Sequence, residues 1–170
     1  MNASQVSSEQ TGTAEVSSQS VPPRRILVID DDADIRALCS SLLTKNGYQV
    51  DTAADGAEAW KVLSVAGSVA ERFDVVITDH NMPKLTGLEL IKKLRAAAIS
   101  VPIVLISAEM PAEISVPETP DIPLGDLEWN RSLQVAAALW KPFKLDELVQ
   151  TVKKILQPTV HSSAPGKLSQ

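Results

Sequence analysis

A β-branched run, Val75-Val76-Ile77-Thr78, ends on Asp79, and an earlier apolar run, Arg25-Ile26-Leu27-Val28-Ile29, ends on Asp30-Asp31-Asp32. Each pattern puts carboxylates at the C-terminal tip of a strand, where open α/β sheets build their sites. Two such tips side by side would line a pocket with oxygen, which suits a hard cation such as Mg²⁺. An aspartate in that pocket can attack phosphorus as a nucleophile, with the cation offsetting the charge on the phosphate oxygens. After Asp79, Met82-Pro83 reads as a turn and Gly87 opens an amphipathic segment.

These residues need a scaffold of alternating strands and helices. Strand patterns cover Arg25–Ile29, Gln49–Ala53, Asp74–Thr78, Pro102–Ile106 and Ala137–Trp140. The third and fourth are continuously apolar, as parallel strands covered on both faces are. Between them, Ile35, Leu38, Cys39, Leu42 and Leu43 recur at helical spacing, as do Ala59, Trp60 and Leu63, then Leu88, Ile91 and Leu94, and finally Leu145, Leu148, Val152 and Ile155. Asp55 is placed to cap the second helix and Gly47 to end the first. Five strand–helix repeats with right-handed crossovers predict an α/β fold with a doubly wound parallel sheet.

The 170 residues suit one domain with tails, expected over 24–157, with 1–23 disordered and 158–170 flexible. A 44% hydrophobic content supplies a core, and a net charge of −5 argues against direct nucleic-acid binding, which needs a basic surface. Cys39 is the sole cysteine, so an internal disulfide is excluded; it reads as a small core residue. No run approaches the ~18 apolar residues of a membrane helix, and the polar N-terminus has no signal-peptide pattern. A cytoplasmic protein without membrane contact is the expectation.

The strand-end residues also carry a family resemblance. Asp30 and Asp31, Asp79, Ser107 in Val104-Leu-Ile-Ser107-Ala108, and Lys141 in Trp140-Lys141-Pro142-Phe143 stand in order, each at a strand end. Over about Arg24 to Gln157 the chain resembles the receiver domain of bacterial two-component response regulators. The resemblance implies a flavodoxin-like sheet of order 2-1-3-4-5, which makes the first and third strands neighbours. It implies Asp79 as phospho-acceptor, Mg²⁺ held by Asp30, Asp31, Asp79 and the Asn81 carbonyl, and a Ser107 hydroxyl donated to the phosphoryl group. Lys141 would pair with that group, from a Lys141–Pro142 bond that is cis in this family. Asp31 is the expected direct ligand, with Asp30 acting partly through water. Asn81 and Glu109 match positions that tune phosphate loss, and His80 reads as an exposed rim residue.

The implied function is a phosphorylation-controlled switch, not an enzyme beyond its own phosphorylation and dephosphorylation. A histidine kinase or phosphotransfer protein would supply phosphate, and output would pass to a protein partner with no attached output domain. The face of the fourth helix, fifth strand and fifth helix is the family's usual docking and dimerisation surface, and the resemblance implies that a homodimer can form through it. A Mg²⁺-dependent phosphatase of the haloacid dehalogenase type is the competing enzyme reading, but its second aspartate would stand where Asn81 is. A dinucleotide-binding domain is disfavoured by an Asp-rich first turn, which would repel a pyrophosphate. A phosphorylation-independent interaction protein is disfavoured by the intact set of five residues.

Two departures from the family stand out. The aromatic residue often found three positions before the lysine is replaced by Ala138; Trp140 lies on the same strand face. The stretch from Ser107 to Lys141 is long, and Pro111, Pro117, Pro120 and Pro123 punctuate it. Proline interrupts helices, so an extended irregular loop over Glu109–Pro123 is expected, then a short fourth helix, roughly Asp126 to Val135. Leu127, Leu133 and Val135 are its candidate core contacts.

Overall fold

The computed structural model describes residues 22–65, 73–109 and 133–157. Within them the chain runs β1 (Arg25–Ile29), α1 (Ala33–Lys45), β2 (Gln49–Ala53), α2 (Gly56–Leu63), β3 (Val75–Asp79), α3 (Gly87–Ala96), β4 (Ile103–Ser107), β5 (Ala137–Trp140) and α4 (Leu145–Leu156). The five strands form one parallel sheet of order β2-β1-β3-β4-β5. This is the doubly wound sheet expected from the sequence.

Strand alternation sorts the core into two layers. Ile26, Val28, Val75, Ile77, Val104, Ile106 and Leu139 pack with Cys39 and Leu43 of α1 and Leu148 and Val152 of α4. Leu27, Ile29, Val76, Ile103 and Leu105 face the other way, against Ala59 and Leu63 of α2 and Leu88, Leu90, Ile91 and Leu94 of α3. Fully burying one such aliphatic side chain contributes roughly 1.5–3 kcal/mol.

The helices begin where local chemistry satisfies their first amides. Asp32 accepts from the N–H groups of Asp34 and Ile35 at the start of α1. Asp55 accepts from Glu58 N–H at the start of α2. Thr86 and Glu89 form a reciprocal capping box at α3. No side chain caps α4; Asp146 and Glu147 in its first turn complement the helix dipole.

Two details differ from the sequence expectation. Strands β3 and β4 lie one residue later, so Asp79 and Ser107 are the last residues of their strands. In α1 and α4 the apolar stripe is only partly core: Leu38 is 50% exposed and Leu145 36%. Leu133 and Val135 are buried as expected. Most of the Glu109–Pro123 loop, most of the expected fourth helix and both tails lie outside the described residues.

Candidate functional site

Because Ile29 pairs with Thr78, the next residues, Asp30 and Asp79, leave the sheet side by side. Asp30 continues the parity of Ile26 and Val28, Asp79 that of Val75 and Ile77, and Lys141 that of Ala137 and Leu139. All three therefore belong to the α1/α4 side of the sheet edge. The Lys141 ammonium lies 2.6 Å from Asp79 Oδ1 and 3.3 Å from Asp30 Oδ2. Both carboxylates are almost wholly buried, Asp30 2% exposed and Asp79 4%. The Lys141–Pro142 peptide bond is cis.

Neighbouring amides hold each carboxylate. Asn81 N–H donates to Asp79 Oδ2 at 2.8 Å, and Asp32 N–H donates to Asp30 Oδ1 at 2.9 Å. Arg36 Nη1 donates to the Asp30 carbonyl at 2.6 Å, fixing the turn from the other side. Burial pushes the Asp30 carboxyl above the usual aspartate range; the Asp32 amide and Lys141 oppose this and Asp79 reinforces it. Burial also works against the charge on Lys141, but Asp79 and Asp30 outweigh it and raise the ammonium's pKa.

Ser107 is buried on the opposite strand parity. Its hydroxyl donates to the Glu109 carbonyl, and Lys141 N–H donates to the Ser107 carbonyl at 2.8 Å. Ser107 thus adjoins Lys141 through the backbone, with its hydroxyl occupied by a local turn. Asp31 is exposed and makes no hydrogen bond or ion pair with the described residues. Asn81 is exposed at the start of the β3–α3 loop. His80 is half-buried rather than a fully exposed rim residue: its Nδ1 is enclosed and without a hydrogen-bond partner among the described residues.

Among the described residues, no three acidic, histidine or cysteine side chains gather into a cage. The arrangement is two buried carboxylates facing one ammonium, a net excess of one negative charge. That donor set fits Mg²⁺, which takes one or two carboxylates and keeps several waters. It does not fit zinc, which favours nitrogen and sulfur ligands.

Fold and pocket together define a strand-end acid site on a doubly wound parallel sheet. Residues 26–116 match the model of the response regulator receiver domain. The chain belongs to the response regulator receiver domain family, whose members generally act in phosphorylation-controlled signalling rather than in catalysis. It is similar to the chemotaxis response regulator CheY4 of Vibrio cholerae, at 31% identity and a TM-score of 0.62, over 79% of this chain and all of that one. TrrA of Thermotoga maritima, solved in complex with Mg²⁺-BeF, is 32% identical with a TM-score of 0.58, over 78% of this chain and 99% of that one. The transcriptional regulatory protein SphR of Synechococcus elongatus is 33% identical over 151 residues, 84% of this chain and 52% of SphR. The chain spans about half the length of the curated relatives it matches.

Sequence reasoning missed two contacts of the site. Arg36 carries no local signal for a contact to a carbonyl six residues back. The Asp32 amide that holds Asp30 was hidden because Asp32 reads only as a helix start.

Proposed function

We propose that the folded unit of residues 24–157 accepts a phosphoryl group on Asp79 and uses it to switch binding to a protein partner. The observation that carries this is the Asp30–Lys141–Asp79 cluster: a buried carboxylate held by one amide and one ammonium at a strand tip. In the reaction, Asp79 Oδ attacks phosphorus, the bond from phosphorus to the donor's leaving atom breaks, and an acyl phosphate remains. The Asn81 amide orients the attacking carboxylate, and Lys141, already at Asp79, is placed to pair with the phosphoryl oxygens. Ser107 would exchange its turn hydrogen bond for one to the phosphoryl group, which draws the end of β4 inward. Mg²⁺, which would be held by Asp30, Asp31, Asp79 and the Asn81 carbonyl, supplies charge neutralisation when bound. The Mg²⁺-BeF complex of TrrA, a relative, supports Mg²⁺ as the cation.

A histidine kinase or histidine phosphotransfer protein is the proposed donor. Beside Lys141 opens an apolar cleft of about 330 Å³ lined by Ile35, Leu38, Phe143 and Leu145. An exposed apolar patch next to a reactive group suits a docking partner that delivers it. Trp140, 39% exposed and paired in register with Ser107, supports a route by which movement at β4 reaches the β5 surface.

Incubation with a small phosphodonor and Mg²⁺ tests this reading. One label should appear on Asp79, labile in alkali, and be absent in Asp79→Asn. Label that persists in that variant, or lies on His80, rules the assignment out.

A further inference from the structure

The β3–α3 loop, residues 80–86, is held from outside the pocket. Lys84 is the centre of a tight turn in which Leu85 N–H donates to the Pro83 carbonyl at 2.8 Å, with φ of +68° at Lys84. That backbone sense is rare and costly for a residue with a side chain. The Lys84 ammonium reaches across the fold to Asp55 Oδ2 at 2.5 Å. Asp55 is only 8% exposed, and its other oxygen caps α2. The adjacent Gly56 receives the loop backbone directly: a Cβ there would lie 2.3 Å from the Leu85 carbonyl oxygen. The loop tip thus sits on the start of α2 through one ion pair and one close backbone contact. The first residues of the same loop carry Asn81, whose amide orients Asp79, and its base closes through Gly87 N–H to the His80 carbonyl at 2.9 Å.

We propose that Lys84 is a positioning residue for phosphoryl transfer: its ion pair with Asp55 pins the β3–α3 loop to α2 and so holds Asn81 where it orients the Asp79 carboxylate. A solvated ion pair with no further role is the competing account, since such pairs contribute little to stability. The positive φ at Lys84 and the seat at Gly56 favour positioning. A turn of that sense opens readily once its anchor is removed.

The proposal rests on Asp79 as acceptor, and one experiment separates the two. Rates of Asp79 labelling by acetyl phosphate at saturating Mg²⁺ are compared for wild type, Lys84→Ala, Lys84→Arg and Asp55→Asn. Amide hydrogen exchange at Asn81 and Leu85 is measured on the metal-free proteins, alongside melting temperatures. Asp55→Asn keeps an N-capping side chain while removing the charge, so it isolates the pair from the cap. Lys84→Ala and Asp55→Asn should label about two- to fivefold more slowly, the span an ion pair of this kind can transmit. Both should exchange faster at Asn81 and Leu85, and Lys84→Arg should stay near wild type. Wild-type rates and exchange in Lys84→Ala overturn the proposal, as does a slowed Lys84→Arg. Should Lys84→Ala fail to fold, Asp55→Asn carries the test. No label on Asp79 in the wild type overturns the acceptor assignment instead.

Discussion

Two half-buried cations tie this fold together from opposite ends of the sheet, and their partners differ in kind. Lys141, at the C-terminal tips, faces the two carboxylates Asp30 and Asp79. Arg95, at the end of α3, faces only backbone: Nε donates to Leu133 O at 2.8 Å, Nη1 to Ile99 O at 2.6 Å, and Nη2 to Val101 O at 3.1 Å and Gln134 O at 3.0 Å. A point charge among carboxylates can be displaced by another cation or redirected by a phosphoryl group. A planar fork among four carbonyls has no competitor and no exchangeable charge partner. The first arrangement can switch, whereas the second anchors the turn after α3 to the chain that leads into β5.

Breaking the anchor should have the largest effect. Arg95→Leu leaves four carbonyls without their donor and should cost roughly 2–4 kcal/mol in denaturant unfolding. Arg95→Lys should recover less than half, since one ammonium cannot reach all four in the fork geometry. Mg²⁺ affinity should stay within about twofold in both. A large loss of Mg²⁺ binding would show that the two ends are coupled and would undo the contrast.

The two ends also differ in how legible they were. The carboxylates were readable because a β-branched run that stops on an acid is a local signal, and parallel strand order makes such tips converge. Sheet order placed Asp30 beside Asp79, and the cis Lys141–Pro142 bond followed from the resemblance. Arg95 was not singled out, because two of its carbonyl partners lie 38 and 39 residues away and carry no side-chain signature. The Lys84–Asp55 pair, 29 residues apart, was hidden for the same reason. Helical spacing did not separate Leu38 and Leu145 from the core positions beside them, because a stripe lining a surface cleft has the same period as one facing the sheet.

At the switchable end the expected effects are conditional on metal. Mg²⁺ at about 100 times its Kd should stabilise the wild type by roughly 2–3 kcal/mol, because the proposed site exists only in the folded protein. Asp31→Asn should lose most of that gain. Lys141→Ala should be less stable than wild type without Mg²⁺, where two buried carboxylates then face each other, and should recover when Mg²⁺ is added. Melting curves with and without the metal check both. If Lys141→Ala and Arg95→Leu respond alike to Mg²⁺, the ammonium is an anchor too and the contrast fails.

A smaller effect concerns pH. Asp30 titrates higher in the folded protein than in the unfolded chain because it is buried. Between the ordinary aspartate value of 3.8 and its raised folded value, the folded state holds more protons. Stability contributed by this group therefore falls as pH rises through that window. Lys141 follows the same sign at the other extreme: its raised pKa contributes stability below 10.5 that is lost as pH rises through the folded value. Metal-free Asp30→Asn should lack the acid-side decline. The difference between its stability and the wild type's, followed across that window, isolates it. A flat difference would mean that Asp30 gains as much from Lys141 as it loses by burial.

The smallest effect tests what Arg95 holds in place. Helices α1 and α3 end in the same way. At α1, Gly47 N–H donates to Thr44 O at 3.0 Å and Tyr48 N–H to Leu43 O at 3.2 Å, with φ of +87° at Gly47. At α3, Ala98 N–H donates to Arg95 O at 3.0 Å and Ile99 N–H to Leu94 O at 2.9 Å, with φ of +58° at Ala98. Both are the paired-bond helix ending that glycine normally serves, yet the second uses a residue with a Cβ. Among the described residues, three non-glycine residues have positive φ: Lys84, Ala98 and Gln134. A charged contact adjoins each of them. Lys84 pairs with Asp55, and Arg95 grips the carbonyls of Gln134 and of Ile99, the residue after Ala98. Ala98→Gly should therefore stabilise the protein by about 0.5–1 kcal/mol, because it removes the Cβ penalty in a backbone conformation already imposed. The gain should shrink in Arg95→Leu, where the turn is free to relax out of positive φ with alanine in place. Unfolding of the single and double variants measures both numbers. An equal gain in both backgrounds would mean that the helix ending holds Ala98 by itself and that Arg95 anchors only the approach to β5.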